Sequence, residues 1–235
     1  MDDTYRTRAV VLKREPYRED DSLVTVYSEE RGKLTLLARG TKKIRSKLAA
    51  HLEPFCLLEA MVVRGRGFDY LGSAASVDCF ARIKSDYEKT AAAGSAIRTF
   101  NGLIKEGEGD RKIFELLNEF LTGLAEQRAE NAGLISAAFL LKFLVLLGYA
   151  PELYCCAICK KKIEPGGNSF SFSAQSVVCR DCNANGPSVA ADDETVKLLR
   201  LMIEQDFPTL DKVSAAPVSR QAAQTLVSRL VDYQQ

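Results

Sequence analysis

Four cysteines in two pairs are the residues whose types and spacing could do chemistry. They are Cys156-Ala-Ile-Cys159, then nineteen residues, then Cys179-Arg-Asp-Cys182. Two Cys-x-x-Cys knuckles at this separation match the pattern of a four-thiolate zinc site. The spacing suits the metal because each knuckle turns two sulfurs toward one tetrahedral centre, with Zn–S distances of about 2.3 Å. With Cys156, Cys159, Cys179 and Cys182 all engaged, no coordination position is left for water or substrate. The expected cofactor is therefore one structural Zn²⁺ per chain, the alternative being reduced, unliganded thiols. Lys160, Lys161, Lys162 and Arg180 stand beside the sulfurs, where they would offset the charge of about −2 that Zn²⁺ with four thiolates carries. Cys155 is a fifth nearby thiol, and Cys156 is the better ligand by spacing. The residue after each second cysteine favours positive φ, which suits Asn183 and not Lys160, so the first knuckle is expected to be the looser.

A second constellation is a run of one charge. From Arg31 to Leu52 the chain carries seven basic residues, Arg31, Lys33, Arg39, Lys42, Lys43, Arg45 and Lys47, and no acidic one. Ordinary solvated surfaces mix signs. A basic loop of this kind can follow a phosphate backbone, each cation releasing condensed counterions as it binds. Thr41 and Ser46 would add neutral donors to phosphate, and Arg64 and Arg66 could extend the surface. Tyr5, Tyr17, Tyr27, Phe55, Phe68 and Tyr70 are either base-stacking platforms or, for most of them, packing residues.

The elements that must hold these residues follow from periodicity. Residues 1–80 read as a small β domain with strands at Thr4–Lys13, Ser22–Tyr27, Lys33–Ala38, Phe55–Val63 and Phe68–Val77. Leu34, Leu36 and Ala38 share one face, as do Cys56, Leu58, Ala60 and Val62. Hairpins close at Glu29–Gly32 and Arg64–Gly67, with glycine supplying the turn conformations. Five short strands with one long basic connection fit an OB-like Greek-key barrel, although periodicity alone does not separate that from other small barrels. From 81 to 235 the period becomes helical: Arg82–Lys105, ended by Gly107-Glu-Gly109, then Arg111–Arg128, 132–147, Asp192–Gln205 and Ser219–Tyr233. Segment 132–147 is apolar nearly all round and reads as the buried central helix, stopped by Gly148 and Pro151. The knuckles lie in an inserted ribbon, 153–187, where Pro165-Gly166-Gly167-Asn168 and the alternating run Ser169–Ser173 suggest a hairpin with the metal at its base. The fold class is thus α+β multidomain, an N-terminal OB-fold β-barrel and a C-terminal α-helical domain with an inserted Cys₄ zinc ribbon.

Lys142 is the one charge on the central helix. Either its stem runs along apolar surface with the head in water, or it is the cationic lip of a partner-binding slot lined by Phe139, Phe143 and Leu146.

The net charge of +1 over 235 residues conceals the local run. The N-terminus lacks a basic region followed by an apolar stretch, and no segment offers eighteen clean apolar residues, so neither a secretory signal nor a membrane span is expected. Seven cysteines in such a chain point to reduced thiols and metal, not to disulfides, and to a cytoplasmic location. A single histidine, His51, and no phosphate-cradling Gly-rich Lys-Ser/Thr motif weigh against an enzyme, although Asp20 and Asp21 could chelate Mg²⁺.

Tyr17-Arg-Glu-Asp20, Gly32-Lys-Leu34, the segment Ala38-Arg-Gly-Thr-Lys-Lys-Ile-Arg-Ser-Lys47, Leu147-Gly-Tyr-Ala-Pro151 and the paired knuckles together resemble the bacterial RecO family of recombination mediators, over essentially the whole chain. The resemblance implies an OB fold, a helical domain and an embedded zinc module. It also implies binding of single- and double-stranded DNA, annealing of complementary strands, and partnership with RecR and with the C-terminal tail of single-strand-binding protein. It implies, further, help in loading RecA during DNA repair, in the nucleoid. Only the metal ligands and the basic loop carry over by clear motif; Lys142 falls where the family tends to have a basic residue. A zinc-ribbon DNA-binding regulator and a zinc-stabilised nuclease are the competing classes.

Overall fold

Alternating apolar side chains close five strands into a barrel. The computed structural model describes residues 4–107, 109–182 and 188–234. Its strands are β1 (Thr4–Tyr17), β2 (Asp21–Ser28), β3 (Gly32–Ala38), β4 (Leu57–Val63) and β5 (Asp69–Asp78), in the closed order β1-β2-β3-β5-β4. β3 and β5 run parallel and β1 returns to β4, an arrangement in keeping with the OB-like barrel expected from five short strands and one long connection. β1 serves both ends of the barrel: Thr4–Val10 pair with β4, and Ala9–Tyr17 with β2. A bulge at Leu12 bends it between the two pairings. The two predicted stripes both face the interior, with Leu34 at its margin. Gly32 turns the β2–β3 hairpin at φ 65°, as glycine should. Gly65 works differently: a Cβ there would lie 2.0 Å from the Phe68 carbonyl oxygen, so it is the missing side chain that lets the β4–β5 hairpin close.

Two compact units result, Met1–Glu126 and Gln127–Gln235. The first takes in α1 (Ala81–Lys84), α2 (Tyr87–Leu103) and α3 (Arg111–Glu126) with the barrel, so packing divides the chain later than the change of period at 80. One helix was expected over Arg82–Lys105; two form. Asp86 takes extended dihedrals and its carboxylate accepts the Lys89 N–H at 3.0 Å, ending α1 and capping α2. α3 buries the Ile113, Leu116, Leu117, Phe120, Leu121 and Leu124 face that its spacing predicts.

In the second unit α4 (Ala132–Leu146) is buried against α5 (Asp193–Glu204) and α7 (Pro217–Asp232), with the short α6 (Phe207–Asp211) beside it. Ala129–Leu146 is long and apolar enough to cross a membrane by length and composition, but 61% of it is buried in the fold and it carries Glu130 and Lys142. It is the core helix of its unit. Asp192 caps α5 by accepting the Thr195 N–H at 2.6 Å. Between α4 and α5 lies a small sheet of β6 (Ser169–Ser171), β7 (Ser176–Val178) and β8 (Ser188–Ala190), in the order β7-β6-β8. The predicted hairpin is present, with β8 added to its open edge. Residues 183–187 of the expected ribbon, Asn183 among them, and Glu108 lie outside the described residues.

The expectation of reduced thiols throughout is corrected at one place. Cys56 and Cys79 form a disulfide. They follow directly from the β4–β5 register, in which Leu57 faces Asp78, so the next residues outward meet across the strand pair.

Candidate metal centre and nucleic-acid interface

The two knuckles converge. The sulfurs of Cys156, Cys159, Cys179 and Cys182 all lie within 4.8 Å of one another, and Cys159 Sγ is 3.8 Å from Cys179 Sγ. A tetrahedron with 2.3 Å bonds has edges of about 3.8 Å, the spacing of the Cys159–Cys179 pair, and the four thiols together are compatible with a metal site. Each knuckle is held by its own backbone: Lys160 N–H donates to Cys156 O at 2.9 Å, and Cys182 N–H to Cys179 O at 3.0 Å. Lys160 adopts φ 62°, so the first knuckle takes the positive-φ turn despite its residue type, at a cost of about 1–2 kcal/mol for a non-glycine residue. Glu152 fixes the approach: its carboxylate accepts the N–H groups of Tyr154 at 2.7 Å and Cys155 at 3.0 Å. These two bonds hold its carboxyl below the usual range.

Cys156 is buried and Cys159 exposed. Burial pushes the Cys156 thiol up, but N–H groups of Cys179, Cys159 and Ile158 outweigh it and bring it to about 6. Cys182, sharing a hydrogen bond with Cys179 and surrounded by the other sulfurs, is pushed up to about 12. Cys155 stands outside the group of four, and its backbone is bridged to Lys162.

The basic loop leaves β3 and is rooted on the barrel. Gly40 turns at φ 66° and its N–H donates to Asp21 Oδ1 at 2.8 Å. Thr41 is buried, its hydroxyl 2.7 Å from that of Ser22, so it is a root and not the phosphate donor its type suggested. Arg14 clamps both ends of the loop, Nη1 donating to Ala49 O at 3.1 Å and Nη2 to Thr41 O at 3.4 Å. Asp21 is thereby engaged in holding the loop, and Asp20 sits 3.5 Å from Lys43 Nζ. His51 ties the 3-10 turn Ala49–His51 to β5, its Nδ1 accepting the Ser76 N–H at 3.3 Å.

The seven predicted cations separate by what they do. Arg39, Lys42, Lys43, Arg45 and Lys47 are exposed on or beside the loop. Lys42 Nζ donates to Arg18 O at 2.8 Å, which joins the loop to the β1–β2 turn. Arg31 lies over the Tyr5 ring at 4.1 Å, and Arg39 over Tyr70 at 4.4 Å. Lys33 is a structural cation instead. Its ammonium donates to Asn101 O at 2.7 Å and Ile104 O at 3.2 Å, capping the C-terminal end of α2. Sequence reasoning missed the connection that Arg18, Tyr17 and Phe68 make between the β1–β2 and β4–β5 turns. Arg18 lies over Tyr17 at 5.2 Å, and Tyr17 meets Phe68 edge-on at 5.8 Å. Those two turns flank the ligand-binding face of OB folds. Of the other aromatics, Tyr27 is fully buried against Phe100 and serves packing.

The proposed partner slot is not formed. Phe139 and Phe143 are fully buried, stacked 6.3 Å apart inside the unit, and only Leu146 reaches the surface. Lys142 Nζ donates to Ile203 O at 2.7 Å, in the last turn of α5, where a cation meets the negative end of a helix. Lys142 thus straps α4 to α5. Lys142→Glu is expected to destabilise the protein by about 2–4 kcal/mol, since it removes the bond and sets a carboxylate against the helix end. Chemical denaturation checks this; an unchanged midpoint would remove the strap role.

Comparison with known families reaches the same chain from another side. Residues 1–80 match the model of the recombination protein O N-terminal domain, and residues 84–234 that of its C-terminal domain. The DNA repair protein RecO of Rubrobacter xylanophilus is 35% identical over 183 residues, covering 78% of this chain and 73% of that protein. The protein of the same description from Desulforamulus reducens is 29% identical over 230 residues, covering 97% and 89%, and that from Roseiflexus is 30% identical over 231, covering 96% and 79%.

Proposed function

The chain belongs to the RecO family of DNA repair and recombination proteins, and from that premise we propose that it is a non-enzymatic recombination mediator. In this reading it binds single- and double-stranded DNA through the barrel and its basic loop and anneals complementary strands. With RecR it helps load RecA on strands coated by single-strand-binding protein. The observation that carries the reading is the one-signed loop of Arg39, Lys42, Lys43, Arg45 and Lys47, rooted beside the two turns that flank an OB binding face. Phosphate contacts by such a loop are sequence-independent. The four-cysteine group would hold Zn²⁺ as a structural ion: it would supply cohesion to the ribbon and no open coordination position for a reacting group. Work on chromosomal DNA makes the cytoplasmic nucleoid its place of action.

The test is annealing of complementary strands precoated with the cognate single-strand-binding protein, in the absence of nucleotide and divalent metal. Accelerated annealing is expected. No acceleration would defeat the mediator reading, strand cleavage on adding Mg²⁺ would favour a nuclease, and strong sequence preference would favour a regulator.

A further inference from the structure

Ile44 stands at the tip of the basic loop with its side chain fully exposed to solvent. It lies between Lys43 and Arg45, at a turn in which Ser46 N–H donates to Lys43 O at 2.9 Å. A β-branched apolar residue has no conformational reason to occupy such a tip, where Gly, Asn, Asp and Ser are the usual residues. Nor does it pack against the barrel, whose interior is already filled. The tip is nevertheless presented with care. Its root is fastened by Thr41 on Ser22, Gly40 on Asp21 and the Arg14 clamp. The two lysines before the tip are drawn back to the β1–β2 turn, Lys42 onto Arg18 O and Lys43 toward Asp20. What projects is the isoleucine.

We infer that Ile44 makes an apolar contact with unstacked bases, so that the loop holds phosphates with its cations and enters the strand between bases with its tip. This rests on the DNA-binding reading above and adds the mode of contact. Basic flanks favour a polyanion over an ordinary protein surface. Within a polyanion the bases are the apolar part that an isoleucine can cover, and aliphatic wedges of this type are known to enter base steps. In an intact duplex that entry requires unstacking; in a single strand the requirement is far smaller. Ile44 therefore biases the loop toward single strands and frayed ends.

The chain contains no tryptophan, so Ile44→Trp places a unique fluorophore at the tip. Its emission is expected to be quenched by an oligo-dT strand and not by heparin, which offers charge without bases. Ile44→Ala is expected to weaken oligo-dT binding roughly five- to twenty-fold with the salt slope unchanged, because no charge is lost. Full exposure makes both variants safe for the fold, which a thermal melt verifies. Anisotropy of labelled oligo-dT separates the possible failures. Binding with no quenching and no loss in Ile44→Ala would overturn the base contact while leaving the basic-loop reading intact. Loss of RecR binding in Ile44→Ala, with DNA binding unchanged, would make the tip a protein contact and overturn it equally. Absence of oligo-dT binding by the unaltered chain would defeat the DNA-binding reading and this inference together.

Discussion

Stripping the metal, or replacing Cys179 by Ser, is expected to melt the ribbon while the barrel stays folded. The ribbon's own core is small, chiefly Ile163, Phe170, Val177 and Val178, and its strands are three residues each. A sheet of that size does not hold together in water unaided. Structural Zn²⁺ in comparable modules contributes about 10–16 kcal/mol of apparent binding free energy at neutral pH, which becomes folding free energy. Cys179 sits 3.8 Å from Cys159, and its N–H reaches Cys156 Sγ at 3.5 Å, so its loss removes a ligand and loosens the partner knuckle. Amide exchange is the measurement. Protection should vanish first at Ala157 and Val177, whose N–H groups donate to Val177 O and Glu152 O, and persist in β1 and β2. Metal analysis should return one zinc per chain in protein purified without chelator, and Cys155→Ser should leave that figure unchanged. Metal-free protein with an intact ribbon would sink the hypothesis.

The barrel and the cysteine group were legible because both are written in local spacing. Period-two runs located all five strands to within a few residues, and Cys-x-x-Cys needs only a turn to bring its own sulfurs together. What could not be read depends on which parts of the chain meet. Lys33 and Lys142 look like surface or site cations in sequence, yet each ammonium is bonded to carbonyls ending a helix, α2 in one case and α5 in the other. Nothing in the sequence near Lys142 says that Ile203 lies above it. The Cys56–Cys79 bond spans 23 positions and depends on the β4–β5 register, which bulges alter. Lys160 shows the reverse case, where the knuckle geometry imposes a positive φ that residue preference argues against. The break at Asp86 had a readable signal, an Asp ahead of a helical run, but the apolar period continued through it.

Replacing Lys42, Lys43 and Arg45 together by Ala is expected to lower affinity for single-stranded DNA by about a hundredfold at about 0.1 M salt, almost independently of sequence. Each lost phosphate contact flattens the log–log salt dependence by roughly 0.7, so three should remove about 2 from the slope. The three are not equal. Lys42 and Lys43 each have a protein partner in the β1–β2 turn, whereas Arg45 is an exposed cation with no hydrogen bond or ion pair of that kind among the described residues. Arg45→Ala should therefore cost more than Lys43→Ala. Asp20→Asn should tighten binding modestly, since the exposed Lys43–Asp20 pair is worth at most about 1 kcal/mol and competes with phosphate. The fold should tolerate all of these changes, because the loop's root bonds run through Gly40, Thr41 and Arg14. Lys33→Ala provides the contrast: it uncaps α2, so it should lower thermal stability and leave the salt slope nearly untouched. Reduced affinity with an unaltered slope in the triple variant would mean that the loop had been damaged as a structure, and that its charges do not meet phosphate.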